Sequence, residues 1–172
     1  MLIVYILIIL GIAVWGIALF MKQPKFGRMP ETALKKELEK SPQYRNGSFQ
    51  NQSHTPTFSN GGNYWNVSTK FFFGKSKFSK PPFTLPSKKI NLHELTKDED
   101  ILVWFGHSSY FMQLSGKRFL VDPVLNGSAS PIPSTTKSFP GSDIYTTDDI
   151  PEIDYLFLTH DHWDHLDYET LQ

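Results

Sequence analysis

Twenty-one residues without a charged side chain open this sequence, MLIVYILIILGIAVWGIALFM. As a helix rising about 1.5 Å per residue the run is about 31 Å long, which matches the hydrocarbon core of a bilayer. A helix that is apolar all round needs a large protein to surround it, and 172 residues do not supply one. Residues 1–21 are therefore expected to span a membrane. A cleaved signal peptide carries positive residues ahead of its apolar core, and here no Lys or Arg precedes the run. The segment is read as an uncleaved, single-pass anchor.

Lys22, Lys25 and Arg28, then Lys35 and Lys36, follow the anchor. By the positive-inside rule they hold everything after it in the cytoplasm. Triplets at Asn46, Asn51, Asn66 and Asn126 fit the glycosylation pattern and point the other way. Such triplets arise by chance in Asn- and Ser-rich sequence, so the flanking lysines weigh more. Net charge is zero, which gives no field to attract nucleic acid or an acidic substrate. Cysteine is absent, so any metal must be held by His, Asp or Glu.

Three regions are expected: the anchor at 1–21, a juxtamembrane helix and irregular linker at 22–69, and a folded domain at 70–172. PETALKKELEK (30–40) reads as a short helix with Leu34 and Leu38 on one face. Residues 41–69 are rich in Asn, Ser, Gly and Gln and keep no sustained period, the pattern of a linker. In KFFFGKSKFSKPPF, Phe71, Phe72, Phe73, Phe78 and Phe83 interleave with Lys70, Lys75, Lys77 and Lys80. The simpler reading packs these aromatics onto the domain with the lysines in water; the other lays them on anionic lipid headgroups.

From residue 101 the pattern becomes that of strands. ILVWFG, SYFMQLSG and KRFLVDPVL are short runs of β-branched and aromatic residues, punctuated by Gly106 and the Ser115–Gly116–Lys117 turn. A long loop rich in proline follows from Asn126 to about Pro151. DYLFLTH (154–160) is a continuous apolar run of strand length, expected to be buried on both faces. A helix is expected to begin near Asp164.

That last strand delivers His160 and His162 to its end, and side chains two apart in extended backbone face the same way. The two imidazoles can share a metal, and Asp164 and His165, on the turn beyond, can serve a second one beside it. Imidazole and carboxylate without sulfur suit zinc, and also iron or manganese. A solvated turn gains nothing from three imidazoles in six residues, whose protonated forms repel one another.

THDHWDHLD resembles the His-x-His-x-Asp-His signature of the metallo-β-lactamase fold hydrolases. VWFGHSSYFMQLSGKRFLVDPVL (103–125) is similar to the branch that contains N-acylphosphatidylethanolamine phospholipase D and the ascorbate-phosphate lactonases. The resemblance covers about residues 70–172 and does not reach the anchor. It implies an α+β fold of the αββα kind, a sandwich of two β-sheets covered by helices, of which these strands make about one sheet. It also implies two zinc ions, the first on His160 and His162 and the second on Asp164 and His165, with a metal-bridging hydroxide as nucleophile. Asp164 and His165 are thereby the catalytic candidates.

Supporting roles are expected for Asp122, which can accept the second ring N–H of a ligand histidine, for Asp167, and for His107 in the Gly-His-Ser turn. Trp163 is a candidate pocket wall, and His54 and His93 are surface histidines. In the family each metal takes a third histidine and an aspartate bridges the pair, all from segments downstream of the signature. The chain is therefore expected to be the amino-terminal part of a longer hydrolase, binding metal weakly and catalysing poorly by itself. The leading function is a membrane-anchored phosphodiesterase of the phospholipase D-like type, acting on a phospholipid or a small phosphorylated substrate. The alternatives are a lactonase or ester hydrolase of the same fold, and a non-catalytic membrane protein whose half-site is vestigial or completed by a second chain.

Overall fold

The computed structural model divides into two compact bodies, Met1–Lys75 and Ser76–Gln172. It describes residues 1–59, 61–74, 76–133 and 135–172, so Lys75 of the basic and aromatic arm lies outside the described residues.

The first body begins with helix α1 (Leu2–Phe20), which is long and apolar enough to cross a membrane and has no buried residue, unlike the core helix of a soluble protein. Helix α2 (Thr32–Leu38) lies within the expected 30–40 segment and carries Lys35 and Lys36 in its last turn, the charge favoured near a helix carboxyl end. Residues 41–69 are more regular than expected. Strands β1 (Tyr44–Arg45) and β2 (Ser48–Phe49) form a small antiparallel hairpin across Asn46 and Gly47, whose φ values of 56° and 81° suit the tight two-residue turn that Asn-Gly favours. Helix α3 (Tyr64–Phe73) follows, capped by the Asn63 side chain, which accepts from the Asn66 backbone N–H at 2.9 Å. Both local signals are single short motifs, which an average over a polar stretch hides.

The second body is built on a four-stranded sheet, in the order β3 (Ile101–Gly106), β4 (Ser109–Leu114), β5 (Lys117–Val121), β6 (Tyr155–Phe157). The first three strands form an antiparallel meander, and β6 joins β5 in parallel. Ser115 and Gly116, with φ of 50° and 74°, close the β4–β5 hairpin. The β3–β4 connection is irregular: the register shifts between Trp104 and Gly106, and His107 takes a φ of 47°.

One face of the sheet carries the core. Phe105, Phe111 and Leu120 pack with Leu92 and Tyr145 from the covering loops, and Phe111 is fully buried. The Tyr145 ring lies 4.8 Å from that of Phe105, and its hydroxyl accepts from the Ile90 N–H at 2.9 Å. Buried Gln113 fastens a further loop: its amide donates to the Thr96 and Glu99 carbonyls at 2.7 and 2.8 Å and accepts from Arg118 Nε at 2.8 Å. A fully satisfied buried amide of this kind fixes register as well as contributing stability.

The opposite face is also apolar. The register places Leu102, Trp104, Met112, Phe119, Tyr155 and Phe157 on it, and Phe119 stacks on Tyr155 at 5.2 Å. Leu102, Trp104, Tyr155 and Phe157 are exposed, with Trp104 at 66%. This corrects the expectation of a strand buried on both faces at 154–160: β6 is a three-residue edge strand, and even Leu156, on the core side, is exposed. The apolar run anticipates cover that the described residues of 76–172 do not provide. These described residues hold one sheet and, as helices, two 3-10 turns at Leu92–Glu94 and Thr147–Asp149.

The helix expected from Asp164 is a second correction, since residues 161–171 form successive turns. His162 accepts from the His165 and Leu166 N–H groups, and Asp167 and Tyr168 both accept from the Leu171 N–H. Short helices nucleate poorly, and Asp and Thr side chains here bind locally in competition with a helical ladder.

Candidate metal centre

Two strand ends that lie side by side build the site. Parallel pairing of β5 with β6 brings the turn after Val121 next to the turn after Phe157, and the ladder continues with Asp122 N–H donating to the Phe157 carbonyl at 2.9 Å. Asp122, with a φ of 43°, is 1% exposed. Buried Ser109 holds it by donating from Oγ to its carbonyl at 2.5 Å. A non-glycine residue held in the left-handed region by surrounding bonds is a common feature of functional turns.

The Asp122 carboxylate receives three groups. Oδ1 accepts from the Thr159 N–H, and Oδ2 accepts from the Thr159 hydroxyl and faces His165 Nδ1, each at 2.8 Å. Burial pushes this carboxyl up, but the His165 hydrogen bond and the two from Thr159 outweigh it and hold it below the ordinary carboxylate range. An ionised carboxylate at Nδ1 selects the tautomer that carries its proton there and leaves the Nε2 lone pair for a metal. The chemistry of the donor set thus fits an imidazole ligand at His165. Thr159 Oγ1 also lies 3.0 Å from His160 Nδ1.

His165 Nε2 is 3.6 Å from Asp164 Oδ2, which in turn lies 2.8 Å from His107 Nε2. Ligand atoms of His107, Asp164 and His165 fall within 4.8 Å of one another, a spacing at which three donors can reach one ion. Burial raises the Asp164 carboxyl, yet its own backbone N–H, the His165 charge and the His107 hydrogen bond together keep it lowered. The rings of His160 and His162 are 4.5 Å apart, and His160 is 3.8 Å from the His165 ring. The three signature histidines therefore cluster, but His160 and His162 stand outside the tighter group of three donors.

Asp167 is placed elsewhere. Its buried carboxylate accepts from Asn126 Nδ2 at 2.8 Å and from the Thr170 hydroxyl, which ties the last turn to the loop after β5, not to an imidazole. Burial pushes this carboxyl up despite those bonds. Thr159 and Ser108 were missed by sequence reading; Ser108 Oγ lies 3.1 Å from His165 Nδ1 and donates to the Asp164 carbonyl. The Ser in Gly-His-Ser and the Thr directly before His160 were the available signals. Beside the site opens a cavity of about 510 Å³, lined by Trp104, Phe105, His107, Leu125, Phe139 and Asp164 among others.

Residues 101–172 match the beta-lactamase superfamily domain. Over 77 residues the chain is 40% identical to a 4-amino-L-phenylalanyl carrier-protein 3-hydroxylase from Streptomyces venezuelae, covering 44% of this chain and 13% of that one. It is 34% identical over 65 residues to a metal-dependent hydrolase from Caldivirga maquilingensis (38% and 23%). It is 30% identical over 95 residues to N-acyl-phosphatidylethanolamine-hydrolyzing phospholipase D 1 from Caenorhabditis elegans (52% and 25%). The chain spans 36% or less of the length of the curated relatives it matches. The similarity to that domain covers residues 101–172, and the proteins this chain resembles include ones named as a metal-dependent hydrolase and a phospholipase D.

Proposed function

We propose that this protein provides the His-x-His-x-Asp-His half of a dinuclear metal centre in a membrane-anchored phosphodiester hydrolase. His160 and His162 are assigned to one metal and Asp164 and His165 to the other, with Asp122 and His107 positioning His165 and Asp164. The observation that carries this reading is the Asp122–His165 bond, because it commits one ring nitrogen to a buried carboxylate and turns the other toward Asp164. Bound zinc ions supply an activated water and neutralise charge that develops on the attacked group. Two protein ligands per ion are fewer than the three usual in catalytic zinc sites, so these residues alone hold metal weakly.

A phospholipid substrate is favoured over a lactone by two features. One is the amino-terminal helix, which keeps the domain at a bilayer; the other is the mostly apolar lining of the cavity beside Asp164. The test is hydrolysis by the full gene product, loaded with zinc, of an N-acyl phosphatidylethanolamine in mixed micelles and of a phosphorylated lactone in solution. Cleavage of the phospholipid that is lost in Asp164→Ala supports the proposal, and cleavage of the lactone alone redirects it to the ester-hydrolase reading. A second reading rests on the 40% identity to a hydroxylase. His and Asp ligands also suit iron, and oxygen uptake by the iron-loaded protein without either hydrolysis would favour it.

A further inference from the structure

The apolar side chains of α3 are exposed, and Tyr64 meets the Phe58 ring edge-on at 4.7 Å. On a helical wheel at about 100° per residue, Tyr64, Trp65, Val67, Phe71 and Phe72 fall within an arc of about 160° that also holds the small Ser68, while Asn66, Thr69 and Lys70 occupy the other side. Phe73 lies among these polar residues. All five residues of the apolar arc are exposed, Trp65 at 77% and Phe72 at 67%. An exposed apolar stripe on one side of a helix calls for a partner.

We propose that α3 is a second membrane contact, lying in the headgroup and acyl boundary with this arc turned into the lipid. Three observations select a bilayer over a protein groove. First, the same body carries α1, an unburied apolar helix long enough to span a membrane, and only residues 21–63 separate the two. A tether of that length keeps α3 at a high effective concentration beside the surface, so modest intrinsic affinity is enough. Second, the arc is dominated by Trp, Tyr and Phe, and Trp and Tyr are the residues that collect at membrane interfaces. Third, Lys70 lies on the polar side, and the sequence continues with Lys77 and Lys80, the charge that anionic headgroups attract. Within the second body Phe78 and Phe83 are exposed, against the expectation that the aromatics of this arm pack onto the folded domain.

The inference rests on reading α1 as a span, and one experiment separates the two. The chain has no cysteine, so single cysteines can be introduced into the full protein in nanodiscs containing anionic lipid and spin-labelled. Accessibility to oxygen, which concentrates in lipid, is compared with that to a water-soluble nickel chelate. Ile9→Cys reports the span, Val67→Cys, Phe71→Cys and Phe72→Cys the apolar arc, and Asn66→Cys and Lys70→Cys the polar side. The expected result is an oxygen-to-nickel ratio severalfold higher at 67, 71 and 72 than at 66 and 70. Nickel access at all five α3 positions, or protection of 67, 71 and 72 from both reagents, overturns the inference while a lipid signal at position 9 leaves the span standing. A water signal at position 9 overturns both.

Discussion

The two bodies of this protein spend their apolar residues in opposite ways. Among the described residues of 1–75 none is buried, although α1 and α3 together hold most of that segment's large hydrophobics. In 76–172 the same residue types converge on Phe105, Phe111 and Leu120, and around that core the polar groups Gln113, Asp122 and Ser109 are buried and bonded. Burying apolar area from water is the main force that folds a soluble domain, so the first body gains little by it in water. Its apolar surface has a use only where the surroundings are apolar too. The second body uses its core to hold two turns in register, one carrying Asp122 and the other the candidate ligands.

Changes in the core test this contrast most severely. Phe111→Ala should destabilise the second body by about 3–5 kcal/mol in urea unfolding, the usual range for emptying a buried aromatic site. A cost below about 1 kcal/mol would mean that the sheet face is not the core described here. Next in size is the hydrogen bond that joins core to site. Asp122→Asn should weaken zinc affinity by about 10–100-fold in a chelator competition, because the amide supports His165 less well than the carboxylate does. Unchanged affinity in a folded variant would remove Asp122 from the centre.

A smaller effect is expected at acid pH. The Lys117 hydrogen bond, together with the Arg118 N–H, holds the Asp154 carboxyl below its ordinary value of 3.8. A carboxyl lowered in the folded state binds fewer protons there than in the unfolded chain, so stability rises with pH through that interval. The contribution is complete above the ordinary value and is lost as pH falls through the folded one. Asp154→Asn should therefore flatten the acid-side loss of stability of the second body and leave its slope near pH 7 unchanged, as read by thermal unfolding across pH. The smallest change belongs to the first body: Phe72→Ala should shift unfolding of the second body by no more than about 0.5 kcal/mol. A cost near that of Phe111→Ala would erase the contrast between the two.

What could be read from the sequence divides along physical lines. The meander was legible because β3, β4 and β5 each combine strand-forming residues with a turn signal, and Ser115–Gly116 closes a hairpin within two residues. The histidine cluster was legible because its spacing is local. Asp122 was legible as an acceptor for some ligand histidine, but its pairing with His165 in particular depends on the parallel pairing of β5 and β6, which 33 residues separate. Helix α3 was hidden because its N-cap is a single Asn63 within a polar stretch, and its stripe is legible only once the helix is known. The run YLFLT promised a buried strand because apolarity records what a strand requires and not whether nearby residues supply it.

The claim on which the account depends is that His160, His162 and His165 act together on metal. The 172 residues contain six histidines, and His54 and His93 lie outside the cluster. Zinc titration of the detergent-solubilised protein, followed by imidazole NMR signals assigned through single His→Gln variants, is the direct measurement. The predicted result is that the signals of His160, His162 and His165 shift together and saturate while those of His54 and His93 stay in place. Equal movement of all six, or none at 160, 162 and 165 at any zinc concentration that keeps the protein folded, would contradict it.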